Sequence, residues 1–143
     1  MIMDKKGYIL IGSSEESKKI LVDLLTQDVS CMRFGGEGEP GIDDFKDSFM
    51  RLTLPVPASY LVLDNVEDEF ELINVMVRLK KMEYNPATHK PYLAEKNIIV
   101  CSCTFNELRE LKSFDYLMNR YAVIDTDLPV TKALTDYLKN KKN

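Results

Sequence analysis

The chain has 143 residues, 45% of them apolar and 29% charged, the balance of one globular domain with its own core. A formal charge of −4 argues against binding nucleic acid through the whole surface. No run of about 20 apolar residues marks a membrane span, and Met1 to Gly7 lacks the apolar stretch of a signal peptide, so a cytoplasmic location is expected.

In chain order, Tyr8-Ile-Leu-Ile11 is a short apolar run ending at Gly12, which predicts a buried parallel strand. Ser13-Ser14 offers a helix cap, Glu15 and Glu16 suit the first turn, and Ile20, Leu21, Leu24 and Leu25 give a helix face. Val29 to Phe34 reads as a second strand, followed by a glycine-rich break from Gly35 to Gly41. Asp43 to Leu52 predicts a short helix with Phe45, Phe49 and Leu52 inward, ended by Pro55 and Pro57. Tyr60 to Leu63, then Asp64, is the third strand. Glu67 to Met82 is the clearest amphipathic helix, with Phe70, Ile73, Val77 and Leu79-Lys80 expected to face inward.

Tyr84 to Glu95, carrying Pro86 and Pro91, predicts a loop or hairpin. A fourth strand follows in Asn97 to Thr104, then helical segments Phe105 to Lys112 and Phe114 to Tyr121. Ala122 to Ile124 is the fifth strand, stopped by Asp125-Thr-Asp-Leu-Pro129, and Val130 to Leu138 is a last helix. The basic tail from Lys139 is expected to be a frayed, solvated helix end. Strand and helix alternate throughout, which argues for a parallel sheet with helices on both faces and function at the strand carboxyl ends. Those ends carry Gly12-Ser13, Asp64-Asn65, Ser102 to Thr104 and Asp125 to Asp127.

Cys31, Cys101 and Cys103 are odd in number and lack zinc-ligand spacing, and His89 alone cannot complete a site, so reduced packing cysteines and no metal are expected. Four arrangements carry possible chemistry. Gly12 and Lys18 stand at the spacing of a phosphate loop, GxxxxGK[ST], whose backbone N–H groups wrap phosphate. Ser17 replaces its second glycine, Lys19 its magnesium-binding hydroxyl, and Glu15-Glu16 place negative charge where phosphate would sit; an ordinary capped strand-to-helix turn explains the same residues. Asp64 could hold Mg²⁺ through water, but its neighbour Asn65 cannot act as a base, and capping of the next helix is the plainer role. Ser102, Cys103 and Thr104 stand where a γ-phosphate would be sensed, or simply alternate within a sheet. Arg120 suits an arginine finger acting across a subunit boundary, or an exposed helix-end arginine paired with Asp115.

The stretch from Asn97 to Leu108, then Phe114-Asp-Tyr-Leu-Met-Asn-Arg-Tyr-Ala-Val-Ile124 with Leu128-Pro129, resembles the central AAA+ domain of NtrC-type bacterial activators. These enhancer-binding proteins remodel RNA polymerase carrying the sigma-N factor, and their pattern runs roughly RIIAATNxDL, then FRxDLYYRLxVxxIxLPPL. Tyr60 to Val66 is similar to the family's GTLFLDEI segment, and Gly12 to Lys18 falls on its phosphate loop. By position the resemblance makes Lys18 the phosphate-loop lysine, Asp64 the first Walker-B acid and Arg120 the second of two arginines. Asn65 replaces the water-activating glutamate, Cys103 the sensor asparagine and Asp115 the first arginine. No counterpart of the GAFTGA loop lies between Cys31 and Ala58, and no lid or helix-turn-helix is expected in the single domain 1–143.

The resemblance implies a three-layer αβα sandwich of P-loop NTPase, AAA+-like type, with a five-stranded parallel sheet in the order 5-1-4-3-2. It also implies a domain that no longer hydrolyses ATP and that acts in transcription regulation through self-association or the transcription machinery, without direct nucleic-acid or membrane contact. A receiver-like signalling domain without an intact phosphorylation site is the runner-up and would have the order 2-1-3-4-5. An active enzyme ranks last, since no Ser-His-Asp set or metal cluster is present. No catalytic residue is assigned. The remnant site comprises Gly12, Ser13, Ser17, Lys18, Asp64, Ser102 and Arg120; no cofactor is expected, and ATP with Mg²⁺ is the one ligand the remnant would take.

Overall fold

The structure, a computed structural model, describes residues 5–48, 60–82, 84–85, 90–91 and 96–141. Five parallel strands form the central sheet: β1 (Gly7–Ile11), β2 (Cys31–Phe34), β3 (Tyr60–Val66), β6 (Lys96–Cys101) and β7 (Tyr121–Asp125). A separate antiparallel pair, β4 (Tyr84–Asn85) and β5 (Lys90–Pro91), makes the hairpin between β3 and β6 in sequence. The central order is β2-β3-β6-β1-β7. Counting only the five parallel strands, that is 2-3-4-1-5, the expected 5-1-4-3-2 read from the other edge. It is not the receiver order.

Alternation along each strand sends successive side chains to opposite faces, and two cores result. Ile9, Ile11, Leu61, Leu63, Ile99 and Cys101 join one; Leu10, Val62, Ile98 and Val100 join the other. Over the first face lie α2 (Ile42–Ser48), α3 (Glu69–Met82), α4 (Phe105–Arg109) and α5 (Phe114–Arg120), contributing Phe45, Leu72, Leu108 and Leu117. Over the second lies α1 (Glu15–Leu25), through Leu21 and Val22, with α6 (Pro129–Lys141) beside it. The result is three layers, with both faces of every inner strand apolar as a parallel sheet requires.

Several expectations are corrected. On α3 the buried residues are Leu72, Val75, Met76 and Leu79; of the expected inward stripe Leu79 is buried and Ile73 packs half-buried on the same core, while Phe70 is 69% and Val77 47% exposed. On α1 the buried residues are Lys18, Leu21 and Val22, and Leu24 is exposed rather than inward. Strand β6 ends at Cys101, because Thr104 leaves the strand to cap α4 in a reciprocal box with Glu107. Lys139 is not merely frayed: its Nζ lies 2.6 Å from Glu16 Oε1, tying α6 to α1. Phe49 and Leu52 lie outside the described residues.

Strand β3 shifts register against β6 between Leu63 and Val66, and Asn65 there has φ +58°. Its side-chain amide donates to the Gly35 carbonyl. A Cβ on Gly35, whose φ is +92°, would fall 2.0 Å from the Asp64 carbonyl oxygen, so only glycine lets the β2–α2 turn close on β3.

Candidate functional site

The carboxyl ends of β1, β6 and β7 converge on the β1–α1 turn. Gly12 donates its N–H to the Cys103 carbonyl at 3.0 Å, and Thr126 donates both N–H (2.9 Å) and hydroxyl (2.7 Å) to the Ile11 carbonyl. Gly12 takes φ +122°, and a Cβ there would meet Thr126 Oγ1 at 2.1 Å, so the three strand ends are knitted around a position without a side chain.

The next residue grips an acid. Ser13 donates its backbone N–H to both carboxylate oxygens of Asp127, at 3.1 and 3.2 Å, and its hydroxyl to Oδ1 at 2.7 Å. Asp127 donates its own N–H to Asp125 Oδ1 at 2.9 Å, which fixes the loop. The hydrogen bonds from Ser13 hold the Asp127 carboxyl below the usual carboxylate range. A backbone N–H and a hydroxyl at a strand-to-helix turn are the donors a phosphate would use. Here a carboxylate of the same chain has them.

Ser14 caps α1 by accepting from the Ser17 N–H at 3.1 Å. One turn on, Lys18 is only 1% exposed, turned in toward the end of β6. Its Nζ lies 2.8 Å from Glu15 Oε1 and donates to the Cys101 carbonyl at 3.4 Å. Ser102 Oγ donates to the same Glu15 oxygen at 3.3 Å. Glu15 therefore bridges the lysine and the serine that the sequence assigned to a phosphate. Burying an ammonium unpaired is costly, and Glu15, itself 63% exposed, supplies the counter-charge from the solvent side. The thiol of Cys101, near this lysine, is pushed up by its hydrogen bond with Cys103 and by burial, so it stays protonated and inert.

Among the expected residues, Gly12, Ser13, Lys18 and Ser102 are thus brought together. Ser17 is not: its hydroxyl lies 3.3 Å from Thr135 Oγ1 on α6, so it joins two helices. Asp64 sits at the end of β3, beyond β6 from this cluster, and spends one carboxylate oxygen on the Asn65 N–H at 2.7 Å. Arg120 ends α5 and immediately precedes β7, whose Tyr121 pairs with Gly7 at the start of β1. It lies at the opposite pole of the sheet, about 13 Å of strand from the Gly12 end. There its guanidinium carbon lies 5.2 Å from the centre of the Tyr116 ring. Cys103 is buried against the first core and Thr104 is committed to the α4 cap, which leaves Ser102 as the outward polar group of that trio. The reading by motif missed the grip of Ser13 on Asp127, 114 residues away, because no local pattern links them.

Fold and site define an α/β domain with an all-parallel, five-stranded central sheet, at whose strand ends Ser13 is held by Asp127 and Lys18 by Glu15. Compared with known family models, curated proteins and solved structures, the chain matches none of them. Among the described residues no group of three or more His, Cys, Asp or Glu could hold a metal ion, and no helix is long and apolar enough to cross a membrane.

Proposed function

We propose that the chain is a P-loop, AAA+-like domain of the NtrC type that has ceased to hydrolyse nucleotide and acts by binding protein, in the regulation of bacterial sigma-N-dependent transcription. The observation that carries this reading is the pairing of Lys18 with Glu15 while Asp127 occupies the Ser13 donors. A triphosphate entering here must expel two carboxylates and then face them as like charges. Asn65, holding the Gly35 carbonyl, offers no base for an attacking water. Agreement of the strand order with the AAA+ arrangement supports the ancestry.

The test is a titration with ATP and ADP, with and without Mg²⁺, followed by calorimetry and thermal shift. A ligand at ~100 times its Kd adds about 2.7 kcal/mol of stability, or roughly 5–10 °C for a domain of this size. No rise is expected at millimolar nucleotide. Saturable binding that Lys18→Ala and Ser102→Ala both weaken, or ATP hydrolysis above a Lys18→Ala control, overturns the reading.

A further inference from the structure

Strand β7 is one edge of the central sheet and pairs on one side only, with β1. It keeps unbroken register from Tyr121 to Asp125, with no proline, no bulge and its single charge at the last residue, so the usual devices that blunt an edge are missing. Backbone groups alternate in direction along it. Thr126 donates its N–H to the Ile11 carbonyl, so the even-numbered residues address β1, and Tyr121, Val123 and Asp125 turn their N–H and C=O groups outward. At the two ends these outward groups are engaged within the chain: Tyr121 donates its N–H to the Leu117 carbonyl, and the Asp125 carbonyl accepts from the Leu128 N–H at 3.3 Å. Between them the Tyr121 carbonyl, both groups of Val123 and the Asp125 N–H have no partner among the described residues.

Helix α6 adds an apolar stripe beside this edge, with Val130 74%, Leu134 45% and Tyr137 62% exposed. Its buried side is polar instead, Thr131 and Thr135, with Thr135 Oγ1 3.3 Å from Ser17 Oγ on α1, and Lys139 on the flank opposite the stripe reaches Glu16. Helix α1 packs over β1, β3 and β6, so a stripe turned away from α1 looks out past β7.

We propose that β7 and the α6 stripe form a two-fold interface with a second copy of this chain, the two β7 strands pairing antiparallel about Val123. The pattern of open groups selects the occupant. In an antiparallel ladder opposed residues exchange both hydrogen bonds at alternate positions. About Val123, each Val123 N–H meets the other copy's Val123 carbonyl, and each Asp125 N–H meets the other copy's Tyr121 carbonyl. The groups this register leaves over, the Tyr121 N–H and the Asp125 carbonyl, are those already engaged inside the chain. Side chains agree, since Ala122 falls opposite Ile124 and Asp125 opposite Tyr121 rather than another acid. The same axis puts both α6 stripes on one face of the joined sheet, where each covers the other. A foreign strand would bond the edge and leave the stripe bare. The proposal rests on backbone geometry and does not depend on the reading of the strand-end site.

Sedimentation equilibrium of the intact chain from about 1 to 200 µM should show a monomer–dimer equilibrium, with amide exchange at Val123 and Asp125 slowing as concentration rises. Leu134→Glu changes an exposed side chain, so the fold should persist while the dissociation constant rises about tenfold. Val123→Pro removes an outward N–H and spares the β1 ladder, as edge prolines do, and should leave a monomer; if it unfolds the chain, Leu134→Glu decides alone. A chain that stays monomeric at ~200 µM overturns the proposal and gives the edge to a strand of another protein. A dimer indifferent to Leu134→Glu, or one that forms without slowing Val123 exchange, lies on another surface and overturns it too. Nucleotide binding sensitive to Lys18 overturns the earlier reading and leaves the dimer untouched, so the two failures are separable.

Discussion

Lys18 and Glu15 form a lopsided ion pair, and the lopsidedness predicts which partner the fold can spare. The lysine is 1% exposed and the glutamate 63%. Removing a partner from a fully buried pair costs about 3–5 kcal/mol, chiefly because the remaining charge is stranded. Glu15→Gln leaves the buried ammonium with a neutral amide oxygen and the Cys101 carbonyl at 3.4 Å but no counter-charge, and it also removes an acid from the first turn of α1. Water near the exposed glutamate relieves part of that cost, so a loss of about 2–3 kcal/mol is expected. Lys18→Met instead returns the carboxylate to water, and methionine fills most of the buried stem. Its effect should stay within about 1 kcal/mol of wild type, in either direction. The intuitive ranking, in which the buried residue matters more, is inverted. Urea unfolding at pH 7 with a fixed m-value measures all three proteins, and the double variant should resemble Lys18→Met, giving a coupling of about 2 kcal/mol. Lys18→Met losing more than Glu15→Gln would refute the argument.

The clamp on Asp127 predicts a pH dependence. Its carboxyl is held below the ordinary value by Ser13, so its contribution to stability is complete above the unfolded value near 4 and is lost as pH falls through the lower folded value. Urea unfolding of wild type and Asp127→Asn should differ by a constant amount above about pH 5, and the difference should shrink below about pH 4; a gap that widens in acid would contradict the clamp. Gly12→Ala should destabilise by about 3 kcal/mol, through a φ of +122° and a Cβ 2.1 Å from Thr126 Oγ1, and a loss below about 1 kcal/mol by the same assay would show that the turn relaxes freely.

The inner strands were legible because each holds a short apolar run, Ile9 to Ile11, Leu61 to Leu63 and Ile98 to Cys101, buried on both faces, whereas the edge strand β2 carries Arg33 and is mostly half-buried. Gly12 and the capping serine were legible for a related reason, since turn chemistry is local. The α3 stripe was legible only in part: Leu79 and Ile73 reach the core, but Leu72, Val75 and Met76 share it while Phe70 and Val77 do not, and periodicity alone does not rank overlapping apolar faces. On α6 the buried side chains include Thr131 and Thr135 while Val130 and Tyr137 are exposed, so hydropathy points away from the packed face. The motif placed Lys18, Ser102 and Gly12 together correctly, but burial of the lysine and its capture by Glu15 depend on how α1 leans on β6. Motif spacing carries no such angle. Arg120 fell at the far pole because its assignment came from order along the chain, and a parallel sheet separates the residue before a strand from the residue after it by the full strand length.

The place of β1 has a consequence for synthesis. The first strand is not an edge: it lies between β6 and β7, pairing Gly7 with Asn97 and Ile11 with Asp125. A ribosome adds about 5–20 residues per second, so β1 waits roughly 4–18 s with both backbone edges bare before β6, its first neighbour, is complete. Its native partners lie only in β6 and β7, and pairing Gly7 with Asn97 closes a loop of about ninety residues. The nascent chain therefore carries an unsatisfied apolar strand, Gly7 to Ile11, until Lys96 to Cys101 has been made, and chaperones that hold extended apolar segments will find it there.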